Sequence, residues 1–220
     1  VDPAKDQSYV LYHLGQEELG RILLPVGEFR KDEIRRVAVQ AQLPIANKPD
    51  SQEICFIPDG DYRKFLGQRG SPKPGDLVDS DGNVLGQHPG IQFFTVGQRR
   101  GLGLQGNTDE PMYVIRIVAG DNRVVLGRRD ELDLERLWAS RVTYVGDDAP
   151  IRPLEVTAKI RYNANESPAT LIPHGDWAEI RFHTPQRAIT PGQAVVFYQG
   201  EMVVGGGIIE TEAPVPSDVS

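Results

Sequence analysis

The chain has 220 residues, 39% hydrophobic and 25% charged, with a formal net charge of −7. This composition is typical of a globular protein, and no apolar run approaches the length of a membrane-spanning helix. The acidic balance argues against a general nucleic-acid binder, although a local basic patch remains compatible with it. The single cysteine, Cys55, excludes an internal disulfide framework and a multi-cysteine metal site, and it fits a reducing compartment. The four histidines are scattered and predict no metal site.

Residues 1–47 predict three short helices. Asp6 is a plausible N-cap for a helix over Gln7–Tyr12, and a second helix is predicted over Gln16–Leu23. The clearest helix is Lys31–Leu43, where apolar residues recur at intervals of three and four. Large apolar residues are too few for an independent core, so we expect this segment to pack against something else.

The middle of the chain predicts strands and turns. Asp81-Gly82 lies between two apolar pairs and predicts a hairpin with a type I′ turn. Phe93–Val96 predicts a strand, and Tyr113–Val118 with Arg123–Leu126 predicts a second hairpin.

The last part, from about Leu137, predicts only strands. Apolar and polar residues alternate from Leu154 to Tyr162, which is the period of a half-buried strand. Further short apolar runs follow, with turn residues between them. The pattern favours a small closed barrel or a sandwich.

Cys55 lies in the stretch Asp50–Ile57, in which the first four residues are polar and the residues on either side of the cysteine are apolar. A thiolate can act as a nucleophile or carry sulfur. A free cysteine beside Ile54 and Phe56 is more often a small buried hydrophobic residue. Residue type alone therefore favours the structural interpretation.

Two other places could contact phosphate. The loop Gly97–Gly103 holds three glycines with Arg99 and Arg100, which fits either an anion-binding loop or a solvated turn. Arg161 is on the polar side of its strand beside Tyr162, so the pair could grip a phosphate and stack on a base. A solvated strand face is the commoner case.

Six motifs occur together in one order, and together they closely resemble the tRNA-specific 2-thiouridylases (the MnmA/TrmU family). The resemblance extends from Asp2 to about Pro216. The motifs are Lys5–Tyr9, Pro25–Glu28, Asp50–Ile57, Thr95–Gly103, Thr190–Gln193 and Gly205–Ile209. Single motifs of this kind are weak, but six in register are highly specific.

The resemblance implies an α+β, mostly β fold with three parts. Residues 1–47 would be the helical end of a nucleotide-binding PP-loop domain. Residues 48–134 would form a small mixed α/β central domain that carries Cys55, and residues 135–216 a C-terminal six-stranded antiparallel β-barrel that binds RNA. The chain begins at Val1 rather than Met, so we expect a longer natural protein. The family's Ser-Gly-Gly-x-Asp-Ser ATP motif and second catalytic cysteine would lie in the missing N-terminal domain.

The resemblance also implies a reaction, which the chain by itself would not complete. In the whole enzyme, ATP with Mg²⁺ adenylates the 2-carbonyl oxygen of the wobble uridine of a tRNA. Cys55 would receive a persulfide from a sulfur-donor protein in the cytoplasm. The terminal sulfur then reaches the activated carbon by direct attack, or as hydrosulfide released when the upstream cysteine forms a disulfide with Cys55. No metal is expected in this chain.

Family positions that touch tRNA fall on a small set of residues: Lys5, Asp6, Gln7, Arg161, Tyr162 and Gln193. Arg99 and Arg100 lie in a matching loop, and their role is left open. The alternative hypothesis is a non-catalytic RNA-binding barrel in which Cys55 is structural. A third is a protein-interaction barrel.

Overall fold

The computed structural model describes residues 2, 5–48, 64, 65, 67, 72–104, 110–146 and 148–214. The described residues form three short helices, a mixed four-stranded sheet and a closed six-stranded antiparallel barrel. The predicted fold class is confirmed. Of the two architectures that the strand pattern allowed, the C-terminal part adopts the barrel.

The three helices lie where the sequence predicts them, but each ends earlier. They are α1 (Ser8–Leu11), α2 (Gln16–Leu19) and α3 (Lys31–Gln40). Neither α2 nor α3 buries a residue. Apolar side chains near them face solvent, and Leu23 is 89% exposed. Among the described residues, this segment has no core of its own.

The four-stranded sheet forms from two hairpins, as predicted. Its strands are β1 (Gly75–Val78), β2 (Val84–His88), β3 (Tyr113–Val118) and β4 (Arg123–Gly127). Their order is β2-β1-β4-β3; β1 and β4 run parallel, and the other pairs run antiparallel. The inward side chains of Leu77, Val114 and Val124 are fully buried, so this sheet has a core separate from that of the barrel.

The turn of the first hairpin differs from the predicted type I′. Only Gly82 has a left-handed φ, of 90°, whereas a type I′ turn also needs a positive φ at Asp81. The carboxylate of Asp79 accepts backbone hydrogen bonds from Asp81 (3.0 Å) and Asn83 (2.8 Å). These local bonds stabilise a wider loop, since an aspartate side chain can replace a backbone partner in a turn.

The strand predicted over Phe93–Val96 is wrong. Ile91–Phe93 forms a single 3-10 turn, and Phe94 points into the core of the sheet, where its ring centroid lies 5.4 Å from that of His88. Two adjacent phenylalanines match the composition of a strand, but here the burial of Phe94 determines the conformation.

The barrel contains six strands: β5 (Asp133–Tyr144), β6 (Leu154–Lys159), β7 (Ser167–His174), β8 (Trp177–Arg187), β9 (Ala194–Gln199) and β10 (Met202–Glu210). Their order is β10-β5-β8-β7-β6-β9, and pairing of β9 with β10 closes the barrel. Alternate side chains fill the interior, as the period of two predicts. Leu137, Leu171, Ile180 and Phe197 are at most 2% exposed.

Candidate nucleic-acid interface

The segment containing α1 packs on the outside of the barrel, over β9. The side chain of Tyr9 is 8% exposed, and its hydroxyl donates a hydrogen bond of 2.7 Å to the carbonyl oxygen of Ala194. Its ring packs with Val196 and Tyr198. Burial raises the pKa of Tyr9 to about 12, so the hydroxyl keeps its proton and remains a donor.

Gln7 and Tyr162 are 155 positions apart in the chain, and this packing brings them together. Nε2 of Gln7 donates a hydrogen bond of 2.5 Å to the hydroxyl oxygen of Tyr162. The ring of Tyr162 is edge-on to that of Tyr9, with centroids 6.0 Å apart. Tyr162 is still 42% exposed, so part of its ring is available to a ligand.

The carboxylate of Asp6 is held by its own neighbour. Oδ1 accepts a bond from the Ser8 backbone (2.8 Å), and Oδ2 accepts one from the Ser8 hydroxyl (2.7 Å). Burial opposes the effect, but these bonds and the charge of Lys159 hold the pKa of Asp6 below its ordinary value. The predicted N-cap is displaced by one residue, because α1 begins at Ser8 and Gln7 occupies the cap position.

Arg161 lies on the surface beside Tyr162. Its guanidinium donates a hydrogen bond of 3.0 Å to the carbonyl oxygen of Arg187. Arg187 is itself paired with Asp133 through two bonds of 2.9 and 3.1 Å. Arg161 is therefore anchored on one side by the C-terminal end of β8, while the residue as a whole stays exposed.

The loop Gly97–Gly103 lies between the sheet and the barrel. Gly97 donates a backbone bond of 2.7 Å to Val114, and Leu102 is buried in the core of the sheet. The α-carbon of Gly97, whose φ is 88°, approaches the barrel so closely that an added Cβ would lie 2.9 Å from that of Ala188. The loop thus contacts the residue that follows Arg187.

Arg99 and Arg100 are both exposed at this loop. Within the described part of the chain, neither guanidinium makes an ion pair. Arg99 lines an open depression of roughly 490 Å³ with Gly101, Leu102 and Met112. The arrangement can accept an anion without first breaking an internal pair.

Gln193 and Lys5 are next to residues of this surface in the sequence. Gln193 immediately precedes Ala194, the residue whose carbonyl accepts the bond from Tyr9. Lys5 is exposed at the start of the packed segment. The structure therefore brings together, around Tyr9 and Tyr162, predicted contact residues from three separate stretches of sequence.

Cys55 and its whole stretch, Asp50–Ile57, lie outside the described residues. Among the residues that are described, no group of three or more His, Cys, Asp and Glu could hold a metal ion. In that same part of the chain, no helix is long and apolar enough to cross a bilayer.

Three family models match successive parts of the chain. Residues 1–59 match the tRNA methyl transferase HUP domain, residues 63–128 the tRNA methyl transferase PRC-barrel domain, and residues 134–209 the aminomethyltransferase beta-barrel domain.

Curated relatives match almost the whole chain. It is 49% identical over 213 residues to the tRNA-specific 2-thiouridylase MnmA of Acetivibrio thermocellus, covering 96% of this chain and 59% of the relative. The MnmA of Synechococcus is 45% identical over 216 residues, covering 97% of this chain and 58% of the relative. The chain belongs to the tRNA-specific 2-thiouridylase family. It spans just under three fifths of the length of these family members.

Several residues that build this surface of the 2-thiouridylase chain were not among the predicted contact residues: Ser8, Tyr9, Lys159 and Tyr198. Tyr9 follows directly after the Lys5–Ser8 part of its motif, and Lys159 precedes Arg161 by two positions. The short spacing from a predicted contact residue was the available signal for both. Tyr198 carried no such signal, because its role depends on the packing of α1 against β9.

Proposed function

We propose that this chain supplies the tRNA-binding surface and the sulfur-carrying cysteine of a tRNA-uridine 2-sulfurtransferase. One observation supports the proposal above all: Gln7 and Tyr162, two predicted contact residues 155 positions apart in the chain, meet in one exposed polar contact. An exposed tyrosine bordered by arginine suits RNA, since aromatic rings stack on bases and guanidinium groups bind phosphates. The proposed contact residues are Lys5, Asp6, Gln7, Arg161, Tyr162 and Gln193, with Arg99 and Arg100 as a further anion-binding part.

In the proposed reaction, ATP with Mg²⁺ converts the 2-oxygen of a wobble uridine into an adenylate, which releases pyrophosphate. The residues that hold ATP are proposed to lie outside this chain. Cys55 carries a persulfide from a sulfur-donor protein. Its terminal sulfur becomes bonded to C2, and AMP leaves with the oxygen. An upstream cysteine completes the transfer by forming a disulfide with Cys55, so the chain alone does not turn over.

The exposed apolar side chains of the N-terminal segment support the proposal that the ATP-binding part of the enzyme lies outside this chain. Leu23, Leu24 and Ile45 are 89%, 60% and 65% exposed in a segment matched to a HUP domain. We propose that the rest of that domain packs over them, with residues 48–134 and 135–216 as the two following domains. A tRNA substrate and a cysteine that must be reduced after each cycle both fit a cytoplasmic protein, because that compartment keeps thiols reduced.

The sole cysteine allows a direct test. The chain is incubated with a persulfide donor, and the mass of the intact protein is measured by mass spectrometry. We expect a gain of one sulfur atom, which a reducing agent removes and Cys55→Ser abolishes. In the full-length enzyme, Cys55→Ser is expected to abolish thiolation of tRNA. Normal thiolation by that variant would leave the non-catalytic RNA-binding barrel as the better hypothesis.

A further inference from the structure

Lys159, the last residue of β6, is half-buried and lies beside Tyr9. Its ammonium nitrogen is 5.9 Å from the centroid of the Tyr9 ring, a cation–π distance. Arg161 follows two positions later, and its charge also acts on Tyr9 by lowering the pKa of the hydroxyl against the larger effect of burial. Two cations thus flank one tyrosine.

Two carboxylates whose charges act on Tyr198 at this surface, those of Asp6 and Glu166, already accept hydrogen bonds from other residues. Asp6 accepts its two bonds from Ser8, and Glu166 accepts a bond of 2.5 Å from the hydroxyl of Thr157. In the described part of the chain, no carboxylate lies within ion-pair distance of Lys159. The charge of Lys159 acts on Asp6 only over a longer distance, by lowering the pKa of that carboxyl.

We infer that Lys159 is an RNA-binding residue that contacts a backbone phosphate beside Arg161. The inference rests on the proposed function and extends its tRNA-binding surface. Lys159 and Arg161 would hold consecutive or neighbouring phosphates, while the exposed part of the Tyr162 ring stacks on a base. Aromatic and cationic groups that alternate along a surface are the usual means of holding unpaired RNA.

The salt dependence of tRNA binding tests this role. The affinity of the full 220-residue chain for a tRNA transcript with a wobble uridine is measured between about 50 and 200 mM salt. Each phosphate contact contributes about 0.7 to 0.9 to the slope of log affinity against log salt. We expect Lys159→Met to reduce the slope by that amount, so that its loss of affinity is about threefold larger at the low end of that range.

Two variants separate a phosphate contact from a structural role. Lys159→Arg keeps the charge and should preserve the wild-type slope, whereas Lys73→Met removes a lysine near β1 and should leave the slope unchanged. If Lys159 only packs on Tyr9, Lys159→Met weakens binding equally at every salt concentration, and the inference is wrong. If the wild-type chain binds no tRNA even at low salt, the proposed function fails and the inference fails with it.

Discussion

Gly206 is the position where the packing of α1 on the barrel can be tested most directly. An ideal Cβ on this residue would lie 2.5 Å from Cδ2 and 2.8 Å from Cγ of Tyr12, and 2.6 Å from the carbonyl oxygen of Val195. Carbon atoms pack at about 3.5–4.0 Å, so a methyl group has to move the Tyr12 ring by about 1 Å. The strand backbone at Val195 cannot yield as easily.

We therefore expect Gly206→Ala to destabilise the packed segment by about 1–3 kcal/mol, the usual cost of overpacking. Because 1.4 kcal/mol is a factor of ten, local opening of residues 5–14 becomes about 5- to 150-fold more frequent. Hydrogen exchange of that segment, followed by mass spectrometry, measures the opening. Urea unfolding followed by tryptophan fluorescence reports the barrel separately, since Trp138 and Trp177 lie in β5 and β8.

Gly146→Ala is the matched control. A Cβ there meets nothing within 4 Å, so only the ordinary effect of Gly→Ala on the unfolded chain, about 0.4–1 kcal/mol of stabilisation, is expected. A Tyr12→Ala background completes the test, because it removes the ring that the methyl group would contact. An equal cost of Gly206→Ala in both backgrounds would refute the role of Tyr12. If Gly206→Ala destabilises no more than Gly146→Ala does, that is, if it leaves the stability unchanged or raises it, the packing argument is refuted altogether.

Two further substitutions test single contacts by urea unfolding. Tyr9→Phe leaves the Ala194 carbonyl without its donor and should lower the free energy of unfolding by about 1 kcal/mol. Tyr113→Phe is the control and should cost less, because the Tyr113 hydroxyl makes no hydrogen bond among the described residues. Equal costs would contradict the role of the Tyr9 bond. Hydrogen bonds from Arg181 hold the pKa of Glu179 below its ordinary value of 4.5, although burial opposes them. The ionised form is therefore stabilised on folding, and this contribution is complete above pH 4.5 and disappears as the pH falls through the lower folded pKa. Glu179→Gln should destabilise the barrel at neutral pH by about 1 kcal/mol and by progressively less in acid, and a deficit independent of pH would show that the charge is not responsible.

Much of the fold follows from local patterns in the sequence. Alternation from Leu154 onward predicts β6, and Asp81-Gly82 predicts the first hairpin, because side-chain period and turn chemistry act over a few residues. The errors have the same origin. Phe93–Val96 matches a strand by composition, yet the burial of Phe94 against His88 overrides it. The wider turn at Asp79 arises from a side-chain bond that the dipeptide pattern ignores.

The sequence by itself determined which residues bear the family motifs, their order along the chain and the alternation of the strands. Only the tertiary structure decided that Gln7 meets Tyr162, that Tyr9 bonds to Ala194 and that Lys159 lies over the same ring. Those contacts join residues more than 140 positions apart. They depend on the closure of the barrel and on the missing side chain of Gly206, which lets Tyr12 approach β10. Local propensity carries no information about such distances, because they are set by how packed surfaces fit together.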